Sequence, residues 1–458
     1  MPKYDYVFTT EREKARKRRS NFFIIFLLLL LSFTIFFFLS HRQEISLSNI
    51  KLYFYDPKKL EIIPVDTNID FRGDFEKIVK LVIEKLAYAP QDSHLKSFIP
   101  AYTRVKSVTL SQDLLTITFF PEVVSSEIDS VVKEGASVYS IVNSLTELNN
   151  VRRVKIQIEG NNTGFFKRYI DITKPLSKLS GQLPKGKKTL IYFLNPTYQF
   201  YVGELREVID STDSSLQAES VINQLIIGSN YKELTSLIPQ GTKLLSVKVE
   251  ANIAYVNFSK EIRRISLGAE GELDLVNLIT LSLTELSNID RVRFLVEGEE
   301  TYSIGGHLSL NEPIKRWFGL KTDNDGIVYF VYKLEQKNLF VPIFRKVSEV
   351  NDVNEILNLL FTGVTPLEKD LSLTTDIPSE AKLLNTQARE NNELLVNVSV
   401  EINKFLNAIQ EENFIRQIVL TVTENSSFKS VTIYFNGRNL ESLPFGTDVS
   451  KSFTRNSF

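Results

Sequence analysis

The sequence predicts an α+β protein in which three tandem β-β-α-β-β-α-β two-layer sandwiches follow one transmembrane helix. Three observations predict this. Related segments open at Ile99, Ile238 and Ile377, so that Pro100, Pro239 and Pro378 are spaced by 139 and 139 residues. Within each period the apolar residues alternate between the two-residue spacing of strands and the three-to-four-residue spacing of helices. Finally, a long apolar run stands near the start of the chain, directly after a block of basic residues.

The chain opens with a charge imbalance. Residues 1–20 carry seven Lys or Arg against three acidic residues, while the remainder carries 47 against 52. The run FFIIFLLLLLSFTIFFFL follows, Phe22 to Leu39, with only Ser32 and Thr34 as polar interruptions. As a helix its 18 residues span roughly 27 Å, close to the hydrocarbon thickness of a bilayer. The cluster from Arg12 to Ser20 would remain in the cytoplasm by the positive-inside rule, which sends everything after His41 across the membrane. A cleaved secretory signal is the alternative, but the apolar stretch exceeds the usual signal core and FFFLSHRQE lacks a small-x-small cleavage site. The expected order is a basic cytoplasmic tail over 1–20 and a membrane helix over 21–40. The basic tail then serves orientation and anionic headgroups, with no nucleic acid as partner.

The repeated elements come next. Each period begins with a strand pattern, IKLYFYD at Ile50, TLIYFLN at Thr189 and GIVYFVY at Gly326. A second strand pattern follows around Ile62-Ile63-Pro64, Tyr201-Val202-Gly203 and Phe340-Val341-Pro342, where proline argues for an edge or a bulge because it lacks an N–H. A helix then shows the core stripes Val82-Ile83-Leu86, Val221-Ile222-Leu225 and Ile356-Leu357-Leu360. Gly228 and Gly363 stop the second and third of these helices. The proline-marked hairpin follows, turning in the middle copy at Glu250, Ala251 and Asn252. A second helix places Val138, Ile141, Leu145 and Leu148 on one stripe, matched by Val276, Ile279, Leu283 and Leu286, with Ile415, Ile418 and Val422 continuing the series. A closing strand ends at Gly160, Gly298 and Gly437. The expected domains are residues 50–176, 187–317 and 326–449, joined by polar linkers from Ser177 and Phe318 and sitting like beads with restricted motion.

The middle unit resembles a known family. LIYFLN, AESVINQLIIGSNYKELTSLIPQGTKLLSVKVEANIAYVNFSKE, LTELSNIDRVRFLVEGEE and SIGGHLSL, spread across residues 189–317, resemble the GerMN domain of spore-germination, sporulation and other bacterial envelope proteins. The outer units join through the internal alignment; the first carries Phe120-Pro121 where the middle has Phe258-Ser259, and neither carries the Gly305-Gly306 pair. The resemblance implies a fold like that of ring-building motifs. It also implies a non-catalytic module tethered to the outer side of the bacterial cytoplasmic membrane and linked to peptidoglycan or to multiprotein complexes. Three units, and a helical anchor instead of a lipidated cysteine, set this chain apart.

Composition narrows the chemistry. With no cysteine, disulfides, thiolate metal sites and thiol catalysis are excluded, and His41, His94 and His307 are the only histidines. SIGGHL at Ser303 could place His307 beside a close backbone approach, yet a Gly-Gly turn before a short strand Leu308 to Leu310 explains it more simply. Glu147, Glu285 and Glu424 recur at the ends of the second helices. A glycosidase needs two carboxylates facing one bond, whereas three equivalent acids, one per unit, are expected to stay apart and serve helix-end hydrogen bonding or a repeated surface contact. Glu297, Glu299 and Glu300 read as a solvated turn. Tyr198, Phe200 and Tyr201 are candidates for a sugar-binding platform, although the core can claim them.

The expectation is therefore a protein that is not an enzyme, with no catalytic, cofactor or metal residues. It is a single-pass scaffold or assembly protein of the bacterial cytoplasmic (inner) membrane whose bulk is extracytoplasmic. Its expected partners are the membrane through residues 21–40, and envelope proteins or further copies of itself; a peptidoglycan-binding module is the alternative.

Overall fold

The computed structural model describes residues 30–32, 45–47, 50–67, 71–91, 93–334, 337–349 and 352–457. Leu30–Ser32 are helical, but the rest of the expected tail and membrane segment lies outside the described residues. Among the described residues no helix is long and apolar enough to cross a membrane, so the anchor stays an expectation of the sequence.

Repeat 1 runs β1 (Lys51–Asp56), β2 (Glu61–Asp66), α1 (Phe75–Leu86), β3 (Val105–Ser111), β4 (Leu114–Phe119), α2 (Val131–Leu145) and β5 (Arg153–Ile158). Repeat 2 runs β6 (Lys185–Leu194), β7 (Tyr201–Asp210), α3 (Ser214–Ile227), β8 (Leu244–Glu250), β9 (Ile253–Phe258), α4 (Gly268–Leu283) and β10 (Arg291–Val296). Repeat 3 runs β11 (Asp325–Leu334), β12 (Lys337–Lys346), α5 (Val353–Thr362), β13 (Lys382–Arg389), β14 (Glu393–Ser399), α6 (Ala408–Asn425) and β15 (Ser430–Phe435).

Local chemistry starts the first helix in the same way three times and stops it with glycine twice. Asp74, Asp213 and Asp352, again 139 residues apart, each accept backbone N–H bonds from the first turn of α1, α3 and α5. Such a cap contributes about 1 kcal/mol. Gly228 and Gly363 end α3 and α5 with φ of 90° and 83°. The marker prolines each accept a turn-closing bond, from Thr103 N to Pro100 O, Thr242 N to Pro239 O and Ala381 N to Pro378 O. The hairpin turn at Ala251 and Asn252 has both residues at positive φ, 48° and 61°, which matches the twist of the flanking strands.

Each hairpin is antiparallel, and its second strand pairs in parallel with the strand that follows the second helix: β4 with β5, β9 with β10, β14 with β15. The alternating residues Leu115, Ile117 and Phe119 of β4 and Ala254, Val256 and Phe258 of β9 are fully buried. The stripes read from the helices are buried as well, at Val82, Ile83 and Leu86, at Val221, Ile222 and Leu225, and at Ile356, Leu357 and Leu360. Each such side chain contributes about 1.5–3 kcal/mol by leaving water.

The compact units do not follow the repeats. One consists of Met1–Ser125, Ala136–Asn161 and Ile172–Gln182; the other of Ser126–Gly135, Asn162–Asp171 and Leu183–Phe458. The second unit holds repeats 2 and 3 complete, and they are not separate beads. Their first hairpins join into one sheet in which β12 pairs with β7 and a short strand at Leu373–Thr374 pairs with β11. One continuous core runs from Val202, Val256 and Phe294 to Val341, Leu357 and Phe414.

The joining strands meet at Gly203 and Phe340. In antiparallel register this places Val202 beside Val341 and Tyr201 beside Pro342, so the pair is centred on two equivalent residues 139 apart. Gly203 permits the approach, since a Cβ there would lie 3.2 Å from the Phe340 carbonyl oxygen. Pro342 therefore sits in an interior strand rather than at an edge. It is accommodated because the β7–β12 ladder is a single bridge that ends where the proline has no N–H to give.

Candidate functional site

Two constellations recur in every repeat. The first is built on the second helix's early turn. Glu134 of α2, Glu272 of α4 and Glu411 of α6 are fully buried. Each carboxylate gathers the backbone amides of the segment after the closing strand. Glu134 accepts from Lys167, Arg168, Tyr169 and Ile170. Glu272 accepts from Ile304, His307 and Leu308 and from the Ser303 hydroxyl, and Glu411 from Phe445 and Thr447. Burial pushes the Glu134 carboxyl up despite its four amides. Burial raises Glu272 too, but the amides and the Ser303 hydroxyl outweigh it and hold that carboxyl down.

This clamp accounts for SIGGHL. His307 contributes its main-chain N–H to Glu272, and Gly305 lies where a Cβ would come 3.1 Å from the carboxylate. The expected strand over Leu308–Leu310 does not form; a single bond from Leu310 N to Tyr302 O takes its place. Phe200 packs against the core, and Tyr201 is buried with its hydroxyl on Asp274, which leaves only Tyr198 exposed among the three platform candidates.

The second constellation joins a tyrosine of the first strand, the repeated glutamate and a basic residue beyond the closing strand. In repeat 1, Tyr53 N–H donates to Ser144 Oγ, its hydroxyl donates to Glu147 Oε1 at 2.9 Å, and Lys178 pairs with the same carboxylate. In repeat 2, Tyr192 N–H donates to Ser282 Oγ, its hydroxyl to Glu285 Oε1 at 2.9 Å, and Arg316 Nη2 to that oxygen at 2.7 Å. In repeat 3, Tyr329 N–H donates to Thr421 Oγ1, its hydroxyl to Glu424 Oε2 at 2.8 Å, and Arg455 Nη2 lies 2.9 Å from Glu424.

The structure corrects the expectation that the three acids stay apart. Glu285 and Glu424 converge, because the Gly203–Phe340 junction brings the two triads together. Arg316 Nε donates across to Glu424 Oε1 at 2.7 Å, and Arg455 Nε donates across to Glu285 Oε2 at 3.0 Å. The two tyrosine hydroxyls lie 3.0 Å apart. Arg316 Nη1 also holds Leu281 O and Thr284 Oγ1, as Arg455 Nη1 holds Leu420 O and Thr423 Oγ1. Trp317 Nε1 and Asn456 Nδ2 complete the set on Glu424 Oε1 and Glu285 O. Two cations and two anions thus cancel in a quasi-two-fold arrangement, with an apolar layer of Leu190, Leu278, Leu281, Phe340 and Leu420 around it.

Electrostatics follow from that geometry. Burial pushes the Glu285 and Glu424 carboxyls up, but the Arg455 and Arg316 guanidiniums outweigh it and hold both below the usual range. Burial lowers the two guanidiniums, while the carboxylates keep both firmly charged. Tyr329 is pushed up to about 12, by burial first and then by Glu424. Every oxygen of the two carboxylates accepts from at least one donor of the chain, so the network holds repeats 2 and 3 together. In repeat 1, burial raises Glu147 but the Lys178 and Tyr53 hydrogen bonds prevail and lower it.

The chain can now be placed. A model of the family described as Germane, sporulation and spore germination, matches residues 51–164, 190–302 and 327–441. The chain belongs to the Germane family. Its three matches fall on the three repeats. Spore germination protein GerM of Bacillus subtilis is 24% identical over 250 residues, which cover 49% of this chain and 66% of that protein. Among solved structures, the tandem GerMN domains of the sporulation protein GerM from Bacillus subtilis align with a TM-score of 0.47 at 20% identity, over 60% of this Germane chain and 98% of that one. A putative lipoprotein from Clostridium perfringens aligns with a TM-score of 0.23 at 24% identity, over 32% of this chain and 100% of that one.

Proposed function

We propose that this protein is a non-catalytic assembly protein of the bacterial cell envelope. In this reading it is held in the cytoplasmic membrane by Phe22–Leu39, with its repeats outside, and works through contacts with other envelope proteins and with copies of itself. One observation carries the proposal: the ionisable residues repeated in repeats 2 and 3 neutralise each other in a buried network. A general acid or base must reach a proton on a substrate, and Glu285 and Glu424 are engaged on all sides. Charges locked this way fix two repeats in one orientation, as a spacer or platform requires. The family description and the name of the Bacillus subtilis relative support a role in sporulation or germination.

In-cell crosslinking of the full chain followed by mass spectrometry tests this. The expected result is recovery of envelope proteins or of chain-to-chain links. A protein that is strictly monomeric and recovered alone would overturn it, as would a cell-wall zymogram with a clearing band at its mass. Retention on purified sacculi that is lost when residues 187–317 are deleted would favour peptidoglycan binding instead.

A further inference from the structure

Repeats 2 and 3 show in one chain how two copies of this unit fit together, and repeat 1 carries the same parts without that pairing. Its first hairpin forms a two-stranded sheet, and among the described residues no strand pairs with the outer edge of β2. The corresponding edges of β7 and β12 are the ones that join. Ile62, Ile63 and Val65 on β2 are only half-buried, whereas Val202 and Val341, the equivalents of Ile63, are fully buried. The side chain of Glu147 is 23% exposed and that of Lys178 46%, against 0% and 2% for Glu285 and Glu424.

We propose that the β2 edge and the Tyr53–Glu147–Lys178 triad form a self-complementary surface that takes repeat 1 of a second copy of this chain. The strands run antiparallel about Ile63, in the register that places Val202 beside Val341. The inference rests on the assembly reading and names its partner.

Two features single out a second copy as the occupant. A two-fold contact requires the same patch on both sides, and repeats 2 and 3 already use up each other's patches. Charge fits: in this register each Lys178 approaches the partner's Glu147, as Arg316 crosses to Glu424 and Arg455 to Glu285. Pro64 stands where the existing pairing has Gly203 in one strand and Pro342 in the other, so the repeat 1 pair lacks the Gly203–Phe340 bridge and rests on the side chains of Ile63 and of the triad. The repeat 1 face is more polar, with Lys51, Ser140 and Asn143 where repeat 2 has Leu190, Leu278 and Leu281. Less apolar area and more exposed charge make the association reversible and salt-sensitive.

The absence of cysteine allows a direct test on the full chain in detergent micelles. Facing residues of an antiparallel pair lie about 4.5–5.5 Å apart at Cα, within disulfide reach. Under mild oxidation Ile63→Cys should form a covalent dimer at least ten times faster than Tyr88→Cys, an exposed control at 62% exposure in the same repeat. Adding Lys178→Glu should slow that reaction about ten-fold, and Glu147→Lys on top of it should restore the rate, which also shows that the slowed variant folds. Equal rates for Ile63→Cys and Tyr88→Cys would overturn the proposal, as would indifference to the charge swap. If the disulfide fails while envelope proteins are still recovered by in-cell crosslinking, this inference falls and the assembly reading stands. If the disulfide forms and no envelope protein is recovered, self-pairing stands alone.

Discussion

The triad of repeat 1 and the twin triads of repeats 2 and 3 each set a tyrosine, a glutamate and a base in the same order, Lys178 in the first and Arg316 and Arg455 in the others, yet one is a partly exposed ion pair and the other a buried lattice. The difference teaches that the role of a charged residue is set by what its face meets. An exposed pair such as Lys178–Glu147 contributes about 0–1 kcal/mol because water already solvates both partners. Inside unit 2 the charges have left water, and the loss of any member strands the others.

Acid is the largest perturbation, since it reaches Glu285 and Glu424 together. Both have folded-state pKa values held below the unfolded one, so their stabilisation is fully present above about pH 4.3 and is lost as pH falls through the folded values. Trp317 is the only tryptophan and donates to Glu424, so its fluorescence reports the network. The melting transition seen by Trp317 should drop steeply below about pH 4; a flat profile down to pH 2 would remove the electrostatic account.

Glu424→Gln comes next, with an expected cost of about 3–5 kcal/mol at neutral pH, because Arg316 and Arg455 then share a single carboxylate. Urea unfolding followed through Trp317 measures it, and a cost under 1 kcal/mol would place the network in the exposed class. Glu272→Ala should cost about 2–3 kcal/mol by freeing the amides of Ile304, His307 and Leu308, and hydrogen exchange at those three amides should rise selectively. Smallest is Glu147→Gln, expected to change stability by no more than about 1 kcal/mol. A loss matching that of Glu424→Gln would erase the contrast between the two regions.

Much of this was legible in the sequence for local reasons. Helical stripes such as Val221-Ile222-Leu225, the strand alternation of Ala254, Val256 and Phe258, and the stop at Gly228 depend on neighbours within a turn or two. The 139-residue period exposed the repeat. The same period carries polar signals: the caps Asp74, Asp213 and Asp352, the clamps Glu134, Glu272 and Glu411, and the bases Lys178, Arg316 and Arg455 all recur at nearly the same interval. A polar residue repeated at a structural period is a candidate for packing before it is a candidate for chemistry.

The sequence by itself determined the unit, its order of strands and helices and the faces each would bury, because those follow from periodicities carried by adjacent residues. Only the tertiary structure decided which units would join and what their glutamates would do. Gly203 meeting Phe340, and Arg316 reaching Glu424, are contacts across more than a hundred residues that no local periodicity records. A tyrosine and a glutamate shared by all three faces leave the choice of mate open until the chain is folded, and burial then sets the strength of each charge.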